Sequence, residues 1–556
     1  MRALALFVLA AFSLPAQPAK RLVIIKVNGL PEDLVESNYG HLPSIRKIFV
    51  DHGAVLRNFY VRGISLSAPS WQMLDTGQHM VIRGNAEFDR NSTRVYDYLN
   101  FFPFYVGYAR QKRSDMAGVE VLDDCGIPLL IDRFAPDERY QSMQLYQRGV
   151  RWETLSESLK ARFRRSARQL IDESQTGFDL GGSIYQQEEK ELIAALANPK
   201  IIYLDFYTGD FDHTAHLTND PAIQLRVLED LDALLGRVRA AIEASPLARE
   251  TTLAVVSDHG MNSTPGTYSQ GFDLVKFLNS PEGGSNAVIT DRHPMDQYKL
   301  EGLNPLVSYV KTGSGPATIT LDPDGNERAA IQFLPGAKQM NYLEALTSIR
   351  VRNVVQPEAG AAPVDFIATK RPDGSVLVYS DAQHQAVLKM NDGNLRYSPV
   401  SGAPGPGYPL HPYEAGAWLE GWHSEREWFE ASHKTKYSNG IIGLAEYFRP
   451  CGLKHCEDVQ ADMLVFAADH WNFNVRGFNP GGNHGSFLRV STHSVFMMAG
   501  AGILDGVAIE LPYDSLSFVP TMLHLLGRDE PALPGVPVML PAANEAVFST
   551  PAIPEL

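Results

Sequence analysis

Cysteine is scarce in this chain, with three in 556 residues and no CxxC pair. That excludes a thiolate zinc site of the usual spacing. A chain of this length also buries a large core without disulfides. Cys451 and Cys456 enclose a short loop and are placed to bridge in an oxidising compartment. Cys125 is left over and is expected as a buried thiol. Basic residues are in deficit too, 49 Lys and Arg against 64 Asp and Glu, for a net charge of −15. This argues against a general nucleic-acid binder, duplex included, which would carry a basic face. It leaves a small phosphate ester open, because bound metal reverses the field locally. No run, that at the N-terminus included, has the length and apolarity of an ordinary membrane-spanning helix. Internal repeats and low-complexity segments are missing as well.

What is present begins with MRALALFVLAAFSLPAQPAK. One Arg precedes an apolar run from Ala3 to Leu14, then small residues and prolines follow. This is the pattern of a secretory signal peptide, read here as residues 1–19, and it implies a secreted or periplasmic protein. The apolar fraction of 44% and charged fraction of 20% are those of an ordinary globular chain.

Short apolar runs at 22–27, 201–207, 253–257, 463–468 and 495–500 read as buried parallel strands. Helical stretches lie between them. The clearest starts at Asp220-Pro221, a good N-cap and first-turn proline. It places Leu228, Leu231, Leu235, Val238 and Ile242 on one face. Strands alternating with helices predict an α/β fold, a large mainly parallel sheet with helices on both faces. Function collects at the C-terminal ends of such strands. Residues 301–455 differ. Turn signals at Asp322-Pro-Asp-Gly, Arg371-Pro-Asp-Gly and Asn391-Asp-Gly separate short alternating runs and predict a hairpin-rich insertion or cap. The core is then expected in two parts, 20–300 and 456–556. Aromatics in Trp418–Phe429 are expected mainly as cap core. His293, His411 and His423 carry no assignment.

Four strand ends carry ligand-type or nucleophile-type residues. Asp212 and His216 are four apart, so one helical turn puts them on one face. Asp258-His259 sits on a strand end before Gly260, where the chain can turn sharply. A loop leads to Gly481-Gly-Asn-His484-Gly485. Ser67, before Ala68 and Pro69, is placed at a helix N-terminus, where free N–H groups favour an anion. Imidazole and carboxylate together suit Zn²⁺. Two such ions about 4 Å apart clamp the attacking and leaving oxygens of a displacement at phosphorus. Asp469-His470 has no partner logic and reads as structural.

This set resembles the alkaline phosphatase superfamily, and within it the nucleotide pyrophosphatase/phosphodiesterase branch. The matching pieces are Asn28-Gly29, Ser67-Ala-Pro69, Asp212–His216, Ser257–Met261 and Gly482–Gly485. Asp514–Gly527 is similar to the helix that closes the family's core. The resemblance implies one zinc on Asp212, His216 and His484. It implies a second on Asp258, His259 and residue 28, with Ser67 as the nucleophile beside it. It also implies that backbone N–H groups near Ser67 and Ala68 hold the phosphoryl oxygens.

The sequence departs from that pattern at three places. Residue 28 is Asn where the family has Asp, so the second site has one anionic side chain fewer. Ala215 replaces a Gly. Ser70 stands where an Asn is common, so one phosphate donor is expected to be weaker. Two functional readings stay open: an exported phosphoester hydrolase, and an impaired relative that binds phosphorylated ligands without turnover. A sulfatase-type hydrolase is disfavoured, because formylglycine conversion needs Arg at the position of Trp71.

Overall fold

The computed structural model describes residues 18–92, 95–99, 117–149, 154, 156–157, 180–290, 318–322, 326–337, 340–405, 407–410, 416–473 and 480–539. Residues 1–17 of the expected leader lie outside these, as do His293 and His411. The strands used below are β1 Arg21–Val27, β2 Gly53–Leu56, β3 Ala86–Phe88, β4 Arg139–Gln141, β5 Tyr203–Thr208 and β6 Thr251–Ser257. They continue as β7 Val288–Thr290, β8 Ile319–Asp322, β9 Arg328–Phe333, β10 Val364–Lys370, β11 Val376–Tyr379 and β12 Gln385–Asn391. The last are β13 Asn394–Pro399, β14 His423–Ser424, β15 Met463–Ala467, β16 Phe496–Gly500 and β17 Val507–Ile509. The helices used are α1 Glu32–Ser37, α2 Ser67–Thr76, α3 Asp210–Leu217, α4 Pro221–Glu243, α5 Gly440–Phe448 and α6 Phe518–Leu525.

Seven strands form the first sheet, in the order β17-β2-β16-β6-β1-β5-β4. β6, β1, β5 and β4 run parallel. Alternation along β1 buries both of its faces. Leu22 and Ile24 enter one core with Trp71 and Leu74 of α2 and Phe518 and Met522 of α6. Val23, Ile25 and Val27 enter the other with Leu228, Leu235 and Val238 of α4. The Asp220 carboxylate caps α4 as expected, accepting from the Ala222 N–H at 2.9 Å. α2 ends at Gly77, which takes the left-handed conformation at φ 66°.

Nine strands form the second sheet, in the order β7-β8-β9-β15-β10-β11-β12-β13-β14. All its pairs are antiparallel except β7 with β8. The predicted hairpins are there: β8 pairs with β9, and β12 with β13 through a turn with positive φ at Asp392 and Gly393.

Two strand expectations are corrected. β15 was expected in the parallel core, but it lies at the centre of the second sheet, antiparallel to β9 and β10. Leu464 and Phe466 face one core there, Met463 and Val465 another. A run buried on both faces reads alike in either kind of sheet, so periodicity alone misplaces it. β16 belongs to the first sheet but is antiparallel to both of its neighbours. The second sheet therefore takes strands from 288–290 and 463–467, outside the expected 301–455 insertion.

Cys451 and Cys456 form the disulfide. Cys125 is half-buried rather than buried. Trp428 and Phe429 are cap core as expected, whereas Trp422 is exposed. Among the described residues no helix is long and apolar enough to cross a membrane.

Candidate active site

Three parallel strands end together and deliver most of the site. In register, Val27 of β1 lies between Thr208 of β5 and Ser257 of β6. Asn28 follows β1, Asp258 and His259 follow β6, and α3 starts directly after β5. Asp212 and His216 share one face of α3, with His216 Nε2 3.4 Å from Asp212 Oδ1. Gly29 has φ 70°, and a Cβ there would come within 2.8 Å of Asp212 Oδ1. Only glycine allows β1 to turn this close to the carboxylate.

His484 arrives from the other end of the chain on a loop stitched to α3. Gly481 and Gly482 donate to the carbonyls of His216 and Ala215 at 3.0 and 2.7 Å. Gly485 donates to the Ser65 hydroxyl at 2.9 Å, which ties the same loop to the segment before Ser67. Ser67 opens α2 with its side chain buried.

The side chains converge as two contiguous sets. In the first, His216 Nε2 and His484 Nε2 are 3.1 Å apart, and each is 3.4 Å from Asp212 Oδ1. In the second, Ser67 Oγ is 3.3 Å from His259 Nε2 and 3.4 Å from Asn28 Oδ1. Asp258 Oδ2 is 3.3 Å from the same His259 nitrogen. The His259 and His484 rings stack at 3.8 Å and join the sets.

The hydrogen bonds fix which atoms face inward. His216, His259 and His484 each direct Nδ1 at a backbone carbonyl, those of Gly482, Gly260 and Ser65, at 2.9, 2.8 and 2.6 Å. A carbonyl only accepts, so each Nδ1 carries a proton, and in the neutral imidazole each Nε2 presents a lone pair. Asp212 Oδ1 and Asp258 Oδ2 are buried and have no hydrogen-bond donor among the described residues. Lone pairs thus face lone pairs at 3.1–3.4 Å. Ligand atoms around a tetrahedral zinc lie about 3.3–3.6 Å apart, given its bond lengths. The donor set and its spacing fit divalent cations, and the backbone carbonyls supply the outer support that metal-binding imidazoles usually have.

The electrostatics of the cation-free cluster divide. Against burial, Asp212 raises His216 above the usual imidazole value. Burial, then the neighbouring His484, hold His259 well below the usual imidazole range, so it stays neutral. Burial and the nearby Asp212 push the Asp258 carboxyl well above its ordinary value. Burial would raise Asp212 as well, but His216 and His484 hold it well below.

The Type I phosphodiesterase / nucleotide pyrophosphatase family matches residues 22–331. The chain belongs to that family. It is a hydrolase of phosphoester or phosphoanhydride bonds, on the mainly parallel fold described above. Among solved structures, murine ectonucleotide pyrophosphatase/phosphodiesterase 5 is similar at 12% identity, with 95% of this chain and 98% of that chain covered and a TM-score of 0.49. An inactive form of the same murine protein in complex with AMP gives 94% and 98% coverage at the same identity and TM-score. None of the curated protein sequences matches this chain. His484 lies beyond the family match and reaches the cluster only through the fold.

Two of the expected phosphate contacts are placed differently. The Ser70 hydroxyl donates to the carbonyl of Ile64 at 3.2 Å. The Ala68 N–H is engaged by the side chain of Asn85, donating to its Oδ1 at 2.9 Å. Asn85 escaped the sequence reading because a lone Asn in Arg83-Gly-Asn85 has no motif around it. Tyr207 was missed as well. Its hydroxyl accepts from Asn28 Nδ2 at 2.8 Å, which turns Asn28 Oδ1 toward Ser67.

Proposed function

We propose that this chain is an exported phosphodiesterase, nucleotide pyrophosphatase or phosphatase that works through Ser67. The observation that carries the reading is the set of inward Nε2 atoms, their Nδ1 atoms held by backbone carbonyls, and of donor-free carboxylate oxygens beside the Ser67 hydroxyl. Asp212, His216 and His484 would hold one divalent cation, and Asp258, His259 and Asn28 a second, zinc by the donor set. When bound, the pair supplies positive charge for the phosphoryl oxygens and the leaving oxygen and lowers the pKa of a coordinated hydroxyl.

The protein's own groups then have defined tasks. Ser67 Oγ attacks phosphorus, its O–P bond forms, and the ester oxygen departs with the bonding pair. Water hydrolyses the resulting phosphoseryl ester and returns the hydroxyl. Ser67 sits at the first turn of α2, where N–H groups and the helix dipole favour the phosphoryl charge. The Ala68 amide donates to Asn85 Oδ1 at that turn, so it would have to exchange that partner to hold a phosphoryl oxygen. Tyr207 keeps Asn28 in the orientation a ligand needs.

The second reading, a binding protein without turnover, rests on the neutral Asn28 alone. Zinc-loaded protein is expected to release p-nitrophenol from p-nitrophenyl phosphate or bis(p-nitrophenyl) phosphate and to stop when chelated. Absence of turnover on mono- and diesters with both sites loaded would leave the binding reading in place.

A further inference from the structure

Glu327, directly before β9, is a buried carboxylate outside the cluster and only 1% exposed. Its Oε1 accepts from Asn262 Nδ2 at 3.0 Å, and its Oε2 accepts from the hydroxyls of Ser486 and Ser491 at 2.6 and 2.9 Å. The Ser486 hydroxyl in turn accepts the Leu488 N–H at 3.1 Å. Among the described residues no Lys, Arg or His forms an ion pair with Glu327. Burial raises this carboxyl above its ordinary value, against the three donors that lower it. A buried charge with only neutral partners is costly.

These partners belong to the segments that carry the cluster. Ser486 is two residues after His484, and the Glu327 N–H donates to the His484 carbonyl at 2.8 Å. The Ser491 carbonyl accepts the N–H of Gly260, next to His259, at 3.0 Å. Asn262 exchanges two backbone hydrogen bonds with Asn483, at 2.8 and 3.3 Å. Its Nδ2 also donates to Asp469 at 2.9 Å. One carboxylate therefore joins the loop of His484 to the segment of Asp258 and His259. The Glu327 carbonyl accepts the Ala467 N–H at 2.8 Å, which ties this unit to β15 and the second sheet. The charge also reaches the cluster. Burial lowers His216, Asp212 opposes that first, and Glu327 adds to it.

We propose that Glu327 is a positioning residue for the cation cluster, locking the His484 and His259 segments together and supplying negative charge that Asn28 does not. This role rests on the cation reading of the cluster. Two divalent cations would meet only two inward carboxylates, Asp212 and Asp258, because residue 28 is Asn. Glu327 adds a third from behind the ligands without touching a cation. Removing such a partner usually costs roughly 10–100-fold in metal affinity.

Two variants separate charge from shape. Glu327→Gln keeps the shape and an acceptor for Asn262 but loses the charge, whereas Glu327→Asp keeps the charge. Both are compared with the wild type by zinc titration against a competing chelator and by melting of the chelated and zinc-loaded protein. Glu327→Gln is expected to bind zinc roughly 10–100-fold more weakly and to lose melting temperature mainly in the zinc-loaded state. Glu327→Asp is expected to bind zinc more tightly than Glu327→Gln. A purely structural link would lower melting equally in both metal states. Equal zinc affinity in wild type and Glu327→Gln, equal melting losses with and without zinc, or Glu327→Asp binding zinc no better than Glu327→Gln, overturns the proposal. A wild type that takes up no zinc would overturn the cation reading itself, and this role with it.

Discussion

Asn28→Asp changes one atom type and one unit of charge at the least anionic position of the cluster. The geometry accepts it. Asn28 Nδ2 now donates to the Tyr207 hydroxyl at 2.8 Å. Burial and the nearby Asp258 keep the Tyr207 proton in place far above the usual phenol range, so the hydroxyl can turn and donate to a carboxylate instead. Without metal, the new charge joins Asp212 and Asp258, with all three residues 4% exposed or less. An unpaired buried charge costs about 3–5 kcal/mol. A bound cation removes that penalty, so cation affinity should rise by the same amount, roughly 10²–10⁴-fold at 1.4 kcal/mol per factor of ten. The assay is zinc titration against a competing chelator, with metal content by mass spectrometry and melting of both metal states. Chelated Asn28→Asp is expected to melt below chelated wild type, and the zinc-loaded variant above zinc-loaded wild type. Unchanged zinc affinity with unchanged melting in both states would refute the assignment of residue 28 as a ligand.

Three further outcomes are expected. Ser67→Ala should lower kcat by roughly 10⁴-fold or more and leave the denaturant midpoint unchanged, since the hydroxyl makes only weak contacts with Asn28 and His259. Lys26→Met should cost about 3–5 kcal/mol in denaturant unfolding, because it strands two buried carboxylates, and adding Asp75→Leu should recover part of the loss. Burial pushes the Glu32 carboxyl well above its ordinary value despite Arg57 at 3.8 Å. A folded pKa above the unfolded one gives stability that is full below the unfolded value and lost as pH rises. Glu32→Gln should therefore melt above wild type near neutral pH by about 1–3 kcal/mol, and the gain should vanish below about pH 4, as thermal scans across pH would show.

Much of the first sheet was legible because each signal was local. β1, β5 and β6 are apolar runs ending in polar residues, and Asp212 and His216 carry their own helical spacing. His484 is placed by a Gly-rich turn that only tertiary contacts bring to α3. β15 was misplaced for a physical reason: a strand with both faces in apolar cores carries no mark of its neighbours' direction. Asn85 and Tyr207 were illegible because their roles depend on what faces them. A Tyr inside a buried strand reads as core until its hydroxyl is seen to hold Asn28.

The same face of the first sheet also explains how Ser67 is held. Leu22, Ile24, Lys26 and Asn28 follow one another on one side of β1, and Tyr203, Asp205 and Tyr207 do so on β5. The apolar members of both series pack in the core that contains α2. The polar members bond in pairs across the strands, Lys26 to Asp205 at 3.2 Å and Asn28 to Tyr207 at 2.8 Å. Each pair also reaches α2. Lys26 binds Asp75 near the end of that helix, and Asn28 faces Ser67 at its start. Gln144 closes the lower pair, accepting from Lys26 and donating to Asp205, both at 3.0 Å. An apolar contact lets a helix slide by a few tenths of an ångström at little cost, whereas a buried charge pair does not. Two polar rungs set two turns apart on α2 fix both its depth and its rotation against the sheet. On this reading the buried Lys26 belongs to the support of Ser67, the proposed nucleophile: it holds the helix whose first residue faces Asn28 and His259 at the ends of β1 and β6.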